Sequence, residues 1–311
     1  MRRLLLLAPL AAALAACNTG FEPQYRVRDL RVLALRSNPS GSTSADVAPG
    51  DTVELAALVA NPLGRAGLTV EWIACLPQAS DAIPPCLDQA WLSDPARLFA
   101  APGTVPGVVS LGTGAHVTFG LPDVTAALEF VVATARLKPT FTCRLYAELV
   151  VVARATAEGH DSLAYKRVPI RPTAGQIAAG GVTDNYVLNL NPTVGEVRVG
   201  PSDPDTCTGG QLVATPPFPA GATELCGRGG NGSIGAYNLC DPGGGTTSAF
   251  ENLDWQWYVT AGEFPDEGGG VGDARGGHVK FQRPASAFTI WSIVRDGRGG
   301  VDWAEFAIPA Q

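Results

Sequence analysis

The sequence predicts an all-β protein built from two antiparallel β-sandwich domains in tandem. Three observations carry this. Short segments alternate apolar and polar residues with a period of two, and Pro, Gly, Asn and Asp bound them. The 311 residues include 37 Gly and 25 Pro, a fifth of the chain, which an array of long helices does not tolerate. Hydrophobic residues make up 46% and charged residues 16%, so the chain has the apolar content that disordered sequences lack. The length suits two domains of ordinary size, each able to bury a core.

The elements follow in order. Residues 30–35 are mostly apolar and are followed by a Ser- and Gly-rich turn at 37–44. After the Pro49-Gly50-Asp51 turn, the segment 52–59 places Val53, Leu55, Ala57 and Val59 on one face. In 68–75, Val70, Trp72 and Ala74 share one side, and Thr69, Glu71 and Ile73 the other. Residues 76–110 exceed a minimal sandwich and read as an insertion, with a short helical turn within 88–99. Segments 116–119, 128–135, 143–156 and 164–170 complete the strands of a first domain spanning 27–172.

From 171 to 184 the pattern lapses into Pro, Thr, Ala and Gly, and 173–188 is the expected linker. A second domain, 189–311, offers strands at 196–199, 211–214, 253–260, 278–283, 288–295 and 301–308. Trp255, Trp257 and Val259 share a face. The segment 288–295 is apolar on both faces, as a central strand covered on two sides is.

The start of the chain is a secretory leader in layout: basic Arg2 and Arg3, an apolar run at 4–14, then small residues. The run is too short to span a bilayer as a mature helix. Leu14-Ala15-Ala16-Cys17 resembles the bacterial lipoprotein signal, the lipobox, at every position. That resemblance implies cleavage after residue 16 and acylation of Cys17, with 17–26 as a lipidated tether. Removing residues 1–16 takes two arginines and no acid, so the net charge moves from −7 to −9. Asn18 follows the lipidated position. An Asp there holds well-studied Gram-negative lipoproteins at the inner membrane, so its absence favours the outer one.

Six cysteines remain: Cys75, Cys86, Cys143, Cys207, Cys226 and Cys240. An even number in an exported chain predicts disulfides. Three fall in each half, so complete pairing requires a bridge between halves. Cys75–Cys86 and Cys226–Cys240 are the expected local pairs, because they close short loops rich in Pro or Gly. Cys-x-x-Cys spacing with nearby His is absent, so no metal site is expected from these cysteines.

Several function classes drop out. The net negative charge and only three lysines exclude a nucleic-acid partner. The three histidines, His116, His160 and His278, show no metal-ligand spacing. Asn231 stands where a Gly-x-Ser-x-Gly elbow around Ser233 needs its first glycine. Glu158-Gly159-His160-Asp161-Ser162 reads as a polar hairpin turn, and no phosphate loop implies a cofactor. No residue is assigned a catalytic role. Asp254, Asp266, Glu267, Asp273 and Asp296 are the best cation candidates, yet their spacing lacks the alternation of a calcium loop and reads as a solvated Gly-rich hairpin. Trp72, Trp255 and Trp257 are expected in cores. Trp91, Trp291 and Trp303 are unplaced, and an exposed coplanar pair would stack on sugar rings.

The second half resembles the immunoglobulin-like and PKD-like sandwich domains of exported bacterial proteins. Trp255-x-Trp257, Gly262-x-Phe264, Pro284 and Val294-x-Asp296-Gly297-x-Gly299-Gly300 carry that resemblance. Pro49-Gly50-Asp51-Thr52 and Glu71-Trp72 extend it to the first half. With the lipobox, the whole chain looks like uncharacterised lipoproteins of myxobacterial type. This implies a non-catalytic scaffold or adhesion and binding module, anchored in the outer membrane and facing periplasm or cell surface. Its partners would be the bilayer through Cys17 and envelope proteins or polysaccharide. The alternative is a carbohydrate-binding module or an envelope polysaccharide hydrolase working through two carboxylates.

Overall fold

The computed structural model describes residues 23–77, 85–88, 93–203, 206–213, 218–265 and 277–311. They are mainly strand, and every strand pair is antiparallel. The first domain contains β1 (Arg31–Pro39), β2 (Thr52–Ala60), β3 (Thr69–Cys75), β4 (Val108–Thr113), β5 (His116–Gly120), β6 (Ala147–Ala157) and β7 (His160–Ile170). Its sheets have the orders β1-β2-β5 and β4-β3-β6-β7. The second contains β8 (Val194–Ser202), β9 (Gly209–Leu212), β10 (Ala222–Gly229), β13 (Asp254–Val259), β14 (Val279–Gln282), β15 (Phe288–Arg295) and β16 (Val301–Ile308). Here the orders are β14-β10-β8-β9 and β13-β15-β16. A separate hairpin, β11 (Ala236–Cys240) and β12 (Thr246–Phe250), interrupts the second domain.

Without the edge strands β4 and β9 and that hairpin, the two domains have one topology. The first, second and fourth strands form one sheet, and the third, fifth and sixth the other. This is the strand order of an immunoglobulin-like sandwich, in which the third strand carries a core Trp. Trp72 on β3, and Trp255 and Trp257 on β13, occupy that strand and are buried as expected. In the second domain, Gly227 and Gly277 lie against Trp255 so closely that a Cβ at either would overlap the indole. No cysteine lies on β2 or β6, so the inter-sheet disulfide that antibody domains carry on these strands is absent from the first domain.

The period-two reading of 52–59 accounts for only half of β2. Val53, Leu55 and Ala57 fill the sandwich core, but Leu58 and Ala60 are buried on the opposite face. That face packs against the second domain: Val27, Leu33, Ala34, Leu58 and Ala60 meet Trp291, Ile293 and Val301. The sandwiches therefore stack sheet upon sheet. Arg36 ties β1 to β16 through Asp302 at 2.7 Å and lies over the Trp303 ring. The central strand β15 is covered on both sides, as its sequence predicted.

The structure corrects several boundaries. Residues 23–26, expected in the tether, belong to the fold. Val27 N–H donates to Val259 O, Val259 N–H donates to Tyr25 O, and the Tyr25 ring is buried against Phe264 in the second domain. Residues 128–135 are not a strand but part of helix α2 (Thr125–Leu137); the shorter α1 is Pro95–Phe99. Leu128, Val132 and Ala135 follow helical spacing, and the buried stripe closes one end of the first sandwich. The linker contains helix α3 (Ala174–Gly180), with a Thr173/Gln176 capping box and Gly181 left-handed at its end. The expected insertion ends in strand β4, which begins at Val108 and runs beyond it to Thr113, while Cys86, Leu98 and Ala101 cover the outer face of β3 and β6.

Candidate functional site

Two of the insertions that exceed a minimal sandwich meet. In the first domain the crossover from β5 to β6 carries α2 and a 3-10 turn at Pro139–Arg144. In the second, the β11–β12 hairpin leaves between β10 and β13. Cys143 of the turn is bonded to Cys240 of the hairpin, with Cα atoms 5.5 Å apart. This is the bridge between halves that complete pairing of the six cysteines requires. The other pairs are Cys75–Cys86, as expected, and Cys207–Cys226. The expected Cys226–Cys240 pair is thus wrong. Cys226 is buried in β10 of the sandwich, whereas Cys240 ends a hairpin lying against the other domain. Loop length favoured their pairing, and tertiary packing separated them. Cys17 lies outside the described residues.

Between these insertions opens a cleft of about 810 Å³, walled by β7 and the 3-10 turn on one side and by β11 and the β15–β16 turn on the other. Its size is that of a pocket for a small organic ligand, about 300–1,000 Å³. Five cationic residues line it: Arg144, Lys166, Arg167, Arg295 and Arg298. Only two acids, Glu148 and Asp254, do so. The lining reverses the sign of the chain, whose net charge is −7. Four tyrosines, Tyr146, Tyr165, Tyr186 and Tyr237, complete it.

The cations are held differently. Arg298 lies between the Tyr186 and Tyr237 rings, 5.5 and 5.1 Å from their centroids, and donates to Glu251 Oε1 and to the Val187 carbonyl. Arg295 donates to Gln256 Oε1 at 2.6 Å and to Leu33 O at 3.2 Å. Arg167 pairs with Glu148 at 3.2 Å. Arg144 is exposed, and its guanidinium has no hydrogen-bond or ion-pair partner among the described residues.

Lys166 stands apart. It occupies the inward register Ala164-Lys166-Val168-Ile170 of β7 and is 7% exposed. Its Nζ donates to Gly299 O across the domain boundary. Burial pushes the ammonium down from 10.5 to about 8; Asp296 and Asp46 counter this through their charge, and Arg295 adds to it. An ammonium has three donors. Among the described residues, Gly299 O is the one acceptor for this one.

Below the cleft, Asp46 is buried and accepts the Asn189 amide at 2.9 Å. Burial raises its carboxyl and, more strongly, the Tyr186 phenol that faces it. Arg171, paired with Asp184 at 2.6 Å, covers the other part of Tyr186.

The residues singled out in the sequence are mostly elsewhere. Asp254 lines the cleft, opposite Arg295 in the strand register. Asp296 is buried in the β15–β16 turn, where Oδ1 accepts the Arg298 and Gly300 amides, both at 2.8 Å; this is the hairpin role expected of Asp296-Gly297. Asp266, Glu267, Asp273 and Trp91 lie outside the described residues. Among the described residues no group of three His, Cys, Asp or Glu side chains is placed to share a metal. His160 pairs with Asp29 at 3.3 Å, and Ser162 Oγ accepts the Val32 amide, so the polar cluster secures the entry to β1. Its turn is a hairpin turn, with Glu158 at φ 46° and Gly159 at φ 78°. His116 is exposed, and His278 pairs with Glu224 at 3.2 Å. Ser233 is buried and accepts the Thr193 amide. Trp291 is buried and Trp303 half-buried at the domain boundary, so neither offers an open sugar platform.

The cleft's basic lining was not among the features expected from the sequence. One signal was available: a lysine standing in the apolar register of β7. The convergence of Arg144, Lys166 and Arg298 from three separate segments left no signal in the spacing.

No protein-family model matches the chain, and no curated protein matches it. Among solved structures, dimeric latent PorU from Porphyromonas gingivalis is similar over 92% of this chain and 24% of its own, at 12% identity and a TM-score of 0.23. The chain thus spans about a quarter of PorU's length. The I-band fragment I67-I69 from titin is similar over 94% of this chain and 66% of its own, at 8% identity and a TM-score of 0.16. At these scores neither bears on function, and the fold stands on strand order and burial.

Proposed function

We propose that this protein is a lipid-anchored binding module of the bacterial envelope, non-catalytic, held at the outer membrane by an acylated Cys17. The leader with its lipobox supports the anchor, and three disulfides suit an oxidising compartment. No helix among the described residues is long and apolar enough to cross a membrane, so the anchor in this reading is the lipid. The observation that carries the binding role is the cleft. Insertions from both domains build it, and the Cys143–Cys240 bond fixes its walls. Loops added to a rigid scaffold are where binding surfaces arise.

The test is in two parts. Cells expressing the chain are fed an alkyne-tagged fatty acid and fractionated; wild type takes up label and sediments with membranes, while Cys17→Ser does neither. Membrane retention of the unlabelled variant would overturn the lipid anchor. Photo-crosslinkers placed at Tyr165 and Tyr237 are then expected to capture envelope material. The same probe at Leu63, exposed and away from the cleft, serves as control, and equal capture there would overturn the binding role.

A further inference from the structure

We propose that the cleft binds a carboxylate-bearing polysaccharide chain, of the uronic-acid type, with Lys166 and Arg144 as its anion-binding groups. This deepens the binding-module reading and rests on it. The first observation is unused donor capacity. Lys166 is buried and charged below pH 8, yet a single carbonyl accepts from it and no carboxylate among the described residues closes an ion pair with it. The charges of Asp296 and Asp46 offset part of the cost of burying this cation, and a ligand anion within reach of Nζ would offset more. Arg144, on the 3-10 turn, offers a free planar fork of the kind that grips carboxylates through two parallel hydrogen bonds.

The second observation is what lies beside these cations. Tyr165, which lines the cleft from the opposite face of β7 to Lys166, the face it shares with Arg167, is 53% exposed, and Tyr237 stands on the β11 wall. Tyrosine presents a flat apolar face with a polar rim, suited to a sugar ring whose faces are apolar and whose edges are hydroxylated. The cations come from separate segments, with tyrosines among them. A polymer alternating ring faces and carboxylates matches that better than a compact phosphate, which favours clustered backbone N–H groups.

The test uses the disulfide-bonded full chain in neutral detergent and isothermal titration calorimetry. The probes are a galacturonate oligosaccharide, its fully methyl-esterified neutral form, a polyglutamate peptide of equal charge and inorganic phosphate. The expected result is micromolar binding of the galacturonate form alone, weakening with added salt. Lys166→Met and Arg144→Gln should each weaken it about tenfold or more, the loss of one charge-assisted contact. Arg136→Gln, exposed on α2 away from the cleft, removes the same charge and should leave binding unchanged. Lys166→Met tests the buried group, and Arg144→Gln, at an exposed position, tests the site without burdening the fold.

Equal binding of the methyl ester would mean that rings alone are recognised and would overturn the proposal. Equal or tighter binding of polyglutamate would assign the cleft to acidic peptides, and of phosphate to small anions; both overturn it. Failure of every probe would also overturn it. These outcomes leave the lipid anchor and the crosslinking result untouched, so the failure of this assignment and that of the broader reading are told apart.

Discussion

Arg298 Nη1 lies 2.6 Å from Glu251 Oε1, and the Glu251 side chain is 4% exposed. Through this pair the β15–β16 turn grips the strand end that carries the β11–β12 insertion; Glu251 Oε2 in turn accepts the Gly235 amide at 2.9 Å. The guanidinium also takes the Val187 carbonyl, so one side chain joins turn, insertion and interdomain segment. Removing it strands a buried carboxylate. Arg298→Ala should therefore lower stability by about 3–5 kcal/mol in urea denaturation. Adding Glu251→Gln should recover part of the loss. Additive losses in the double variant would show that the two groups are not coupled.

Lys166 makes stability depend on pH in an unusual direction. Its folded pKa, about 8, lies below the ordinary 10.5, so between those values the unfolded chain holds a proton that the folded one has released. Stability from this group therefore rises with pH across that window, and below pH 8 its full cost, about 3 kcal/mol, stands. Lys166→Met, which gives up the Gly299 bond but buries no charge, should be more stable than wild type by about 1–3 kcal/mol at pH 7. That advantage should shrink between pH 8 and 10. A constant difference across the range would mean that the ammonium is not held in its buried place.

The stacked sandwiches share an apolar boundary, and Ile293 sits in it fully buried. Ile293→Ala should cost about 2–5 kcal/mol. Wild type should unfold in one calorimetric transition, because neither domain keeps its outer face covered alone. Two separated transitions would mean that the boundary contributes little.

How much of this was legible follows from which forces act locally. The Trp255-Gln256-Trp257 alternation and the two-sided apolar run of β15 declared their burial, because pleat geometry sets both within one strand. In α2 the same residues satisfied two periods. Leu128, Phe130 and Val132 read as an alternating strand, while Leu128, Val132 and Ala135 read as a helix, and packing on the open end of the sandwich chose the helix. The capping box at Thr173 and Gln176 was a readable local signal hidden among breakers. Leu58 and Ala60 could not declare a second buried face, since its cover comes from residues more than 200 positions away, such as Ile293. The cleft is legible least of all, being the meeting place of two insertions.

The Cys143–Cys240 bond closes a span of 97 residues. Cys143→Ser/Cys240→Ser should lose about 2–5 kcal/mol. Amide exchange should accelerate in β11 and β12, while β13, β15 and β16 stay protected. Unchanged exchange in the hairpin would show that the bond does not hold the cleft wall.

The two domains fold back to back, so that a turn of one and a hairpin of the other enclose a shared cleft. Mass-spectrometric mapping of unreduced peptides is the decisive measurement. A peptide containing Cys143 should be linked to one containing Cys240, and Cys207 joined to Cys226. A Cys226–Cys240 link, or free thiols at Cys143 and Cys240, would rule this arrangement out.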